Sequence, residues 1–208
     1  MHGGTLTGNT AAKGGGVYVS NGGKFTMSGG EISRNTTTTG NGGGVYMDGI
    51  TFNMNDGAIS GNTATQKGGG VYVNSGTFNM NSGAISGNEA TNSKKTDTTY
   101  GGGVYVNGGT FTMNGEATSV SNNKATNGGG VYVNTGSQFN MNGNASVTGN
   151  TGNGVCVSDR ATFTVSDTPT VTGNTMNKAD SNVYLNGGAY ITIGAYGLKG
   201  SANSIGVT

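Results

Sequence analysis

The hexapeptide GGGVYV or GGGVYM opens at Gly14, Gly42, Gly68, Gly101 and Gly128, and degraded copies follow as GNGVCV at Gly152–Val157 and SNVYLN at Ser181–Asn186. The first valines of these copies (Val17, Val45, Val71, Val104, Val131, Val155, Val183) lie 28, 26, 33, 27, 24 and 28 residues apart. Between consecutive copies stand a Phe-x-Met run and an Ile-Ser-Gly-Asn corner. A period in the twenties, built of short β-type runs punctuated by glycine, is the pattern of a solenoid. Glycine this dense, 44 of 208 residues, also occurs in disordered and collagen-like chains. Here it recurs at fixed places between apolar triplets and without a three-residue period, which excludes both.

One repeat, Gly68 to Asn88, divides into GGG, VYV, NSG, TFNM, NSG, AIS and GN. Alternate residues of a strand share a face, so Val71 and Val73 point one way and Tyr72 the other, while Phe78 and Met80 pair. Three such strands bury nothing alone, but coiled into a rung and stacked they bury a continuous core. The expected fold is all-β: a right-handed parallel β-helix of about seven three-strand rungs, a single domain over residues 1–208. At about 4.8 Å per rung the rod is roughly 34 Å tall.

The inward ladders follow. Phe25, Phe52, Phe78, Phe111, Phe139 and Phe163 stack and continue into Ile191. Met27, Met54, Met80, Met113 and Met141 run beside them into Val165 and Ile193, as core filler and not as a soft-metal site. The third strand contributes Leu6, Ile32, Ile59, Ile85, Val120, Val147 and Val171. Three residues further on comes asparagine each time: Asn9, Asn35, Asn62, Asn88, Asn123, Asn150 and Asn174. Asparagine tolerates left-handed corners, and stacked amides hydrogen-bond along an axis as in cross-β structures. These asparagines are read as structural.

Phe-x-x-Asn at Phe52–Asn55, Phe78–Asn81, Phe111–Asn114 and Phe139–Asn142, with Gly-Ala-Ile at Gly57–Ile59 and Gly83–Ile85, resembles the paired short motifs of polymorphic outer-membrane proteins and related bacterial surface β-helix repeats. The resemblance covers nearly the whole chain. It implies an extracellular passenger or adhesin domain at the bacterial cell surface, either structural or adhesive. No outer-membrane barrel or anchoring motif of that family occurs within the sequence.

Binding, on this reading, belongs to the outward residues. Tyr18, Tyr46, Tyr72, Tyr105, Tyr132 and Tyr184 form an expected exposed column, interrupted by Cys156. Tyrosine joins apolar area to a polar tip, which suits sugar rings or a protein face; alternatively the column only stabilises itself. The corner after the third strand varies in length, being longest at 89–100, and Lys94, Lys95 and Tyr100 there are candidate ligand contacts or a tolerated loop. The Thr-x-Thr and Thr-x-Asn pairs of the second strand resemble ice-binding arrays, although Lys24 and Gln138 break the regularity. Partners are therefore a host or neighbouring-cell glycan or protein, or copies of the chain itself.

Charge and composition narrow the classes. A formal net charge of +1 argues against nucleic acid. No apolar run reaches membrane-spanning length, so no membrane insertion by this segment is expected. The lone Cys156 excludes an internal disulfide, and no cofactor or metal is expected. The nine acids fall at different rung positions, whereas glycoside hydrolysis requires two carboxylates roughly 5–10 Å apart. Asp159, Arg160 and Asp167 come nearest to a cluster, so a polysaccharide-active enzyme ranks third. The sequence begins at the core Met position of a rung and ends at Ser204–Thr208 without an evident polar cap. Two expectations follow: an excerpt of a longer surface protein, or a subunit stacking end to end into a filament.

Overall fold

Runs of three or four residues bounded by glycine corners become strands, because each supplies one apolar face and the corners cannot continue it. The computed structural model describes residues 1–92, 98–115, 117–199 and 205–207. Among them the regular elements are all strands, arranged as a parallel β-solenoid of about seven turns.

The valine runs stack into a seven-stranded parallel sheet from Val17–Val19 to Val183–Leu185, in which Val45 pairs Val71 and Val71 pairs Val104. The Phe-Met runs and the third runs form one twelve-stranded sheet. They merge because Lys24–Ser33 and Thr51–Ser60 continue through a corner that later turns break. A small four-stranded sheet, Thr10–Ala11 to Glu89–Ala90, closes the third side. The expected registers hold: Phe52 pairs Phe78, Met54 pairs Met80, and Ile59 pairs Ile85.

Side chains of these three stacks fill one core that runs from Val17 to Val183. Five phenylalanines from Phe52 to Phe163 are wholly buried, with successive ring centroids 5.0–5.1 Å apart. Burying each such side chain contributes about 1.5–3 kcal/mol, and stacking adds about 0.5–1.5 kcal/mol per pair. The valine faces point inward, as read from the sequence.

The buried corner asparagines, Asn35 to Asn174, satisfy their amides completely. Asn62 Nδ2 donates to Asn88 Oδ1 at 2.9 Å and to the Ile32 carbonyl at 2.9 Å. Its own Oδ1 accepts both the backbone N–H and the Nδ2 of Asn35. Two donors and two lone pairs are all used. The left-handed conformation falls one residue earlier than expected, on Gly8, Arg34, Gly61, Gly87, Asn122, Gly149 and Gly173. The asparagines are there for their amides, and the preceding residue makes the corner. The ladder also runs one step further than the sequence pattern, since Asn174 donates to Asn182 Oδ1 at 3.1 Å.

The three glycines before each valine run answer three different contacts. Gly68 has φ +66°, and a Cβ on it would lie 2.9 Å from the Cβ of Tyr72. On Gly69 a Cβ would meet the Gly102 carbonyl oxygen of the next turn at 2.5 Å, and on Gly70 it would sit 3.0 Å from the Asn88 amide. Ladder, corner and neighbouring turn thus approach too closely for any side chain.

The last turns depart from the pattern. Thr175–Met176 and Ala179–Asp180 form an antiparallel hairpin whose turn residues, Asn177 and Lys178, both have positive φ, as a two-residue hairpin requires. Ile205 bridges Val171 and Val207 bridges Val183, so a single intervening residue crosses a corner that takes eleven in the turn below.

Candidate functional site

Because the valines face inward, the central tyrosine of each run projects from the opposite face of the same sheet. The parallel register then sets Tyr18, Tyr46, Tyr72, Tyr105 and Tyr132 one above another. Their ring centroids are 5.1–5.3 Å apart and their planes within 16° of parallel.

The column is not the exposed row expected from the sequence. Tyr18 and Tyr184 are 51% and 44% exposed, but Tyr46, Tyr72 and Tyr105 retain only 5%, 6% and 2%. The rings bury each other's faces, and residues from the corner cover their edges. Lys13 Nζ lies 5.2 Å from the Tyr46 ring centroid, and Lys67 Nζ lies 5.0 Å from that of Tyr105. Such contacts contribute about 0.5–1 kcal/mol at exposed sites. Tyr100 stands edge-on to Tyr132 at 4.9 Å and to Tyr105 at 6.4 Å.

Burial and neighbouring phenols change the chemistry of these hydroxyls. Desolvation pushes Tyr72 up to about 12 and Tyr105 further still. Tyr46 and Tyr132 rise for the same reason, although a hydrogen bond from Ser158 Oγ to the Tyr132 hydroxyl at 2.9 Å works the other way. Cys156 occupies the next place in the column and is buried; desolvation raises its thiol to about 12, so it is not a nucleophile at neutral pH.

Of the residues singled out from the sequence, the structure brings Tyr100 against Tyr105 and Tyr132, while Lys94 and Lys95 lie outside the described residues. Sequence reasoning missed Lys13 and Lys67 as covering groups, and singled out Tyr100 without its place over the rings. Their signal is positional: Lys13, Lys67, Tyr100 and Asn127 each stand immediately before a GGG run, and the bridges Lys67–Tyr100 and Tyr100–Asn127 keep three of them in register.

The other outer faces carry polar ladders. Asn79 Nδ2 donates to Asn53 Oδ1 at 3.0 Å on the second-strand face. Beyond the valine runs, Asn74, Asn107 and Asn134 form a chain that terminates on Asp48. Among the described residues the acids do not converge. Asp159 pairs with Arg160 at 3.5 Å, whereas Lys199 binds Asp167 at 2.7 Å and holds its carboxyl below the usual carboxylate pKa range. Among the described residues, no group of three or more His, Cys, Asp or Glu side chains is placed to hold a metal ion. No helix there is long and apolar enough to cross a membrane.

Comparison with protein-family models, with curated proteins and with solved structures finds no match to this chain.

Proposed function

We propose that this chain is an extracellular structural and adhesive rod of a bacterial surface protein, engaging a glycan or protein through the open parts of its tyrosine face. The observation that supports this most is the stack itself: turn after turn sets the same side chains in register along one rigid core. A solenoid of this kind presents an extended surface in place of a closed cleft. The resemblance of its Phe-x-x-Asn and Gly-Ala-Ile motifs to bacterial surface repeats points the same way.

The tyrosines divide by exposure. Tyr18, Tyr132, Tyr184 and Tyr100 keep accessible ring surface, whereas Tyr46, Tyr72 and Tyr105 hold the face rigid. Rigid aromatic groups at fixed spacing lose little conformational entropy when they bind. Catalysis forms no part of the proposal.

Adhesion of the purified chain to arrayed glycans and to host-cell protein tests it. The double variant Tyr18→Ser, Tyr184→Ser should lose binding with an unchanged melting temperature. Binding unaffected by these changes, or absent from the native chain, rejects the adhesive face.

End-to-end stacking of copies is a second reading. It draws on the last full strand, Tyr190–Leu198, where Tyr190, Ile193, Tyr196 and Leu198 are all exposed. Exposed apolar patches of this sort mark interaction surfaces. Electron microscopy over a concentration series separates the two: filaments favour stacking, dispersed short rods the adhesive reading.

A further inference from the structure

The tyrosine ladder has one missing rung. Tyr132 pairs with Cys156, and Cys156 pairs with Tyr184. Elsewhere in the ladder the next ring is 5.1–5.3 Å away. Across Cys156 the two rings stand two turns apart, roughly 9.6 Å at the usual strand spacing. A thiol is too short to occupy the place of a phenol. The result is a cavity of about 310 Å³, bounded by Tyr132 and Tyr184 above and below and by Tyr100 at the side. That volume lies at the small end of ligand sites, about 300–1,000 Å³.

The lining decides what fits. Cys156 and Met176 give the lining its apolar part, and Asn127, Asn153 and Asn186 bring amides to it, that of Asn153 buried. Asn153 is held in place: its Nδ2 donates to Ser181 Oγ at 2.7 Å, and its Oδ1 accepts the Gly128 N–H at 3.3 Å. The side chains of Asn127 and Asn186 make no hydrogen bond to another described residue. Among the described residues no acidic or basic side chain lines the cavity, so they offer an anionic or cationic guest no counter-charge. Two aromatic rings in register, two turns apart, call for a guest with apolar faces. Amides around its edge call for hydroxyls there, since a site built to hydrogen-bond a guest rejects one that leaves its polar groups unpaired. A bare arene satisfies the faces and not the edge.

We propose that the notch at Cys156 is a binding slot for one neutral pyranose ring, sandwiched between Tyr132 and Tyr184 with its hydroxyls on Asn127 and Asn186. This deepens the adhesive reading and rests on the glycan form of it. The slot exists because the column is broken at its sixth of seven places: a sixth consecutive phenol would close it.

Saturation-transfer NMR tests the slot with methyl β-D-glucopyranoside and methyl β-D-galactopyranoside, and with N-acetyltyrosinamide as an aromatic probe. Cys156→Tyr completes the ladder and should abolish pyranoside saturation or weaken binding at least tenfold. Cys156→Ser leaves the space open and should bind as the native chain does. Tyr184→Ala removes one wall at an exposed position, so it reports on the slot even if the tyrosine variant folds poorly; binding should fall at least tenfold. Pyranoside binding unchanged in Cys156→Tyr or in Tyr184→Ala overturns the proposal, as does a native chain that takes N-acetyltyrosinamide but neither pyranoside. Arrayed-glycan adhesion that survives in folded Cys156→Tyr sinks the slot and leaves the adhesive face standing. A native chain that binds nothing in either assay sinks both.

Discussion

Individual corner residues have sharply different tolerances, and each follows from one contact. Replacing Asn88 by Ala strips the acceptor from the N–H and Nδ2 of Asn62 and the donor from the Ile59 carbonyl. A buried polar group left unpaired costs about 1–3 kcal/mol, so Asn88→Ala should lose about 3 kcal/mol or more in denaturant titration. Arg34 makes its corner at φ 52°, a conformation that its counterparts leave to glycine or asparagine. The left-handed region costs a non-glycine residue about 1–2 kcal/mol, offset in part by the entropy of glycine, about 0.5–1 kcal/mol. Arg34→Gly should therefore stabilise by about 0.5 kcal/mol. Gly61→Ala should do the reverse by about 1 kcal/mol from backbone strain alone, because an added Cβ there approaches nothing closer than Arg34 Cγ at 3.8 Å. The phenols give a pH signature. The folded chain keeps the Tyr72 and Tyr105 protons above pH 10, where the unfolded chain releases them. Stability is complete below that point and falls as pH rises through about 12 at Tyr72. Ultraviolet phenolate titration should show a late step that coincides with unfolding, and Tyr72→Phe should delay the unfolding.

The strands and their corners were largely legible, and the cover of the tyrosine ladder was not. Register is readable because residues one period apart must pair in a parallel stack, so Phe52, Phe78 and Phe111 could be aligned from spacing alone. The inward face of the valine run was legible from Met47 and Leu185 in its columns. Exposure of the tyrosines was misjudged because alternation says which face a ring leaves by, and nothing of what lies over it. Lys13, Lys67 and Tyr100 come from corners and lean across the rings of the following turn, a contact no strand pattern contains. The same holds for the slot at Cys156, whose walls belong to two different turns. At the element level the glycine corner is the least forgiving part. In Gly69→Ala the new methyl would lie 2.5 Å from the backbone of Glu89 and from the Gly102 oxygen. Two stacked turns must then separate, and loss of about 3 kcal/mol or outright insolubility is expected; circular dichroism melts check it.

For the molecule as a whole, stability is a sum over turns and their interfaces. Removing one whole period, residues 45–70, joins Gly44 to Val71 and leaves Val17 facing Val71, so every ladder reconnects. That variant should fold cooperatively with a smaller denaturant slope. Removing residues 45–57 takes away only two strands of a turn and should not fold; circular dichroism and gel filtration distinguish the outcomes. The stack also carries a hidden electrical symmetry. In the buried ladder the amide-to-amide bonds run toward the C-terminal end, as Asn35 to Asn62 and Asn123 to Asn150, while the second N–H of each amide goes to a carbonyl of the preceding turn. The surface ladders donate the opposite way, as Asn107 to Asn74 and Asn142 to Asn114. An α-helix aligns its amides and gathers about half a unit charge at each end. Here opposed rows of dipoles offset one another along the axis. A rod built this way can gain turns without its two ends becoming electrically distinct poles.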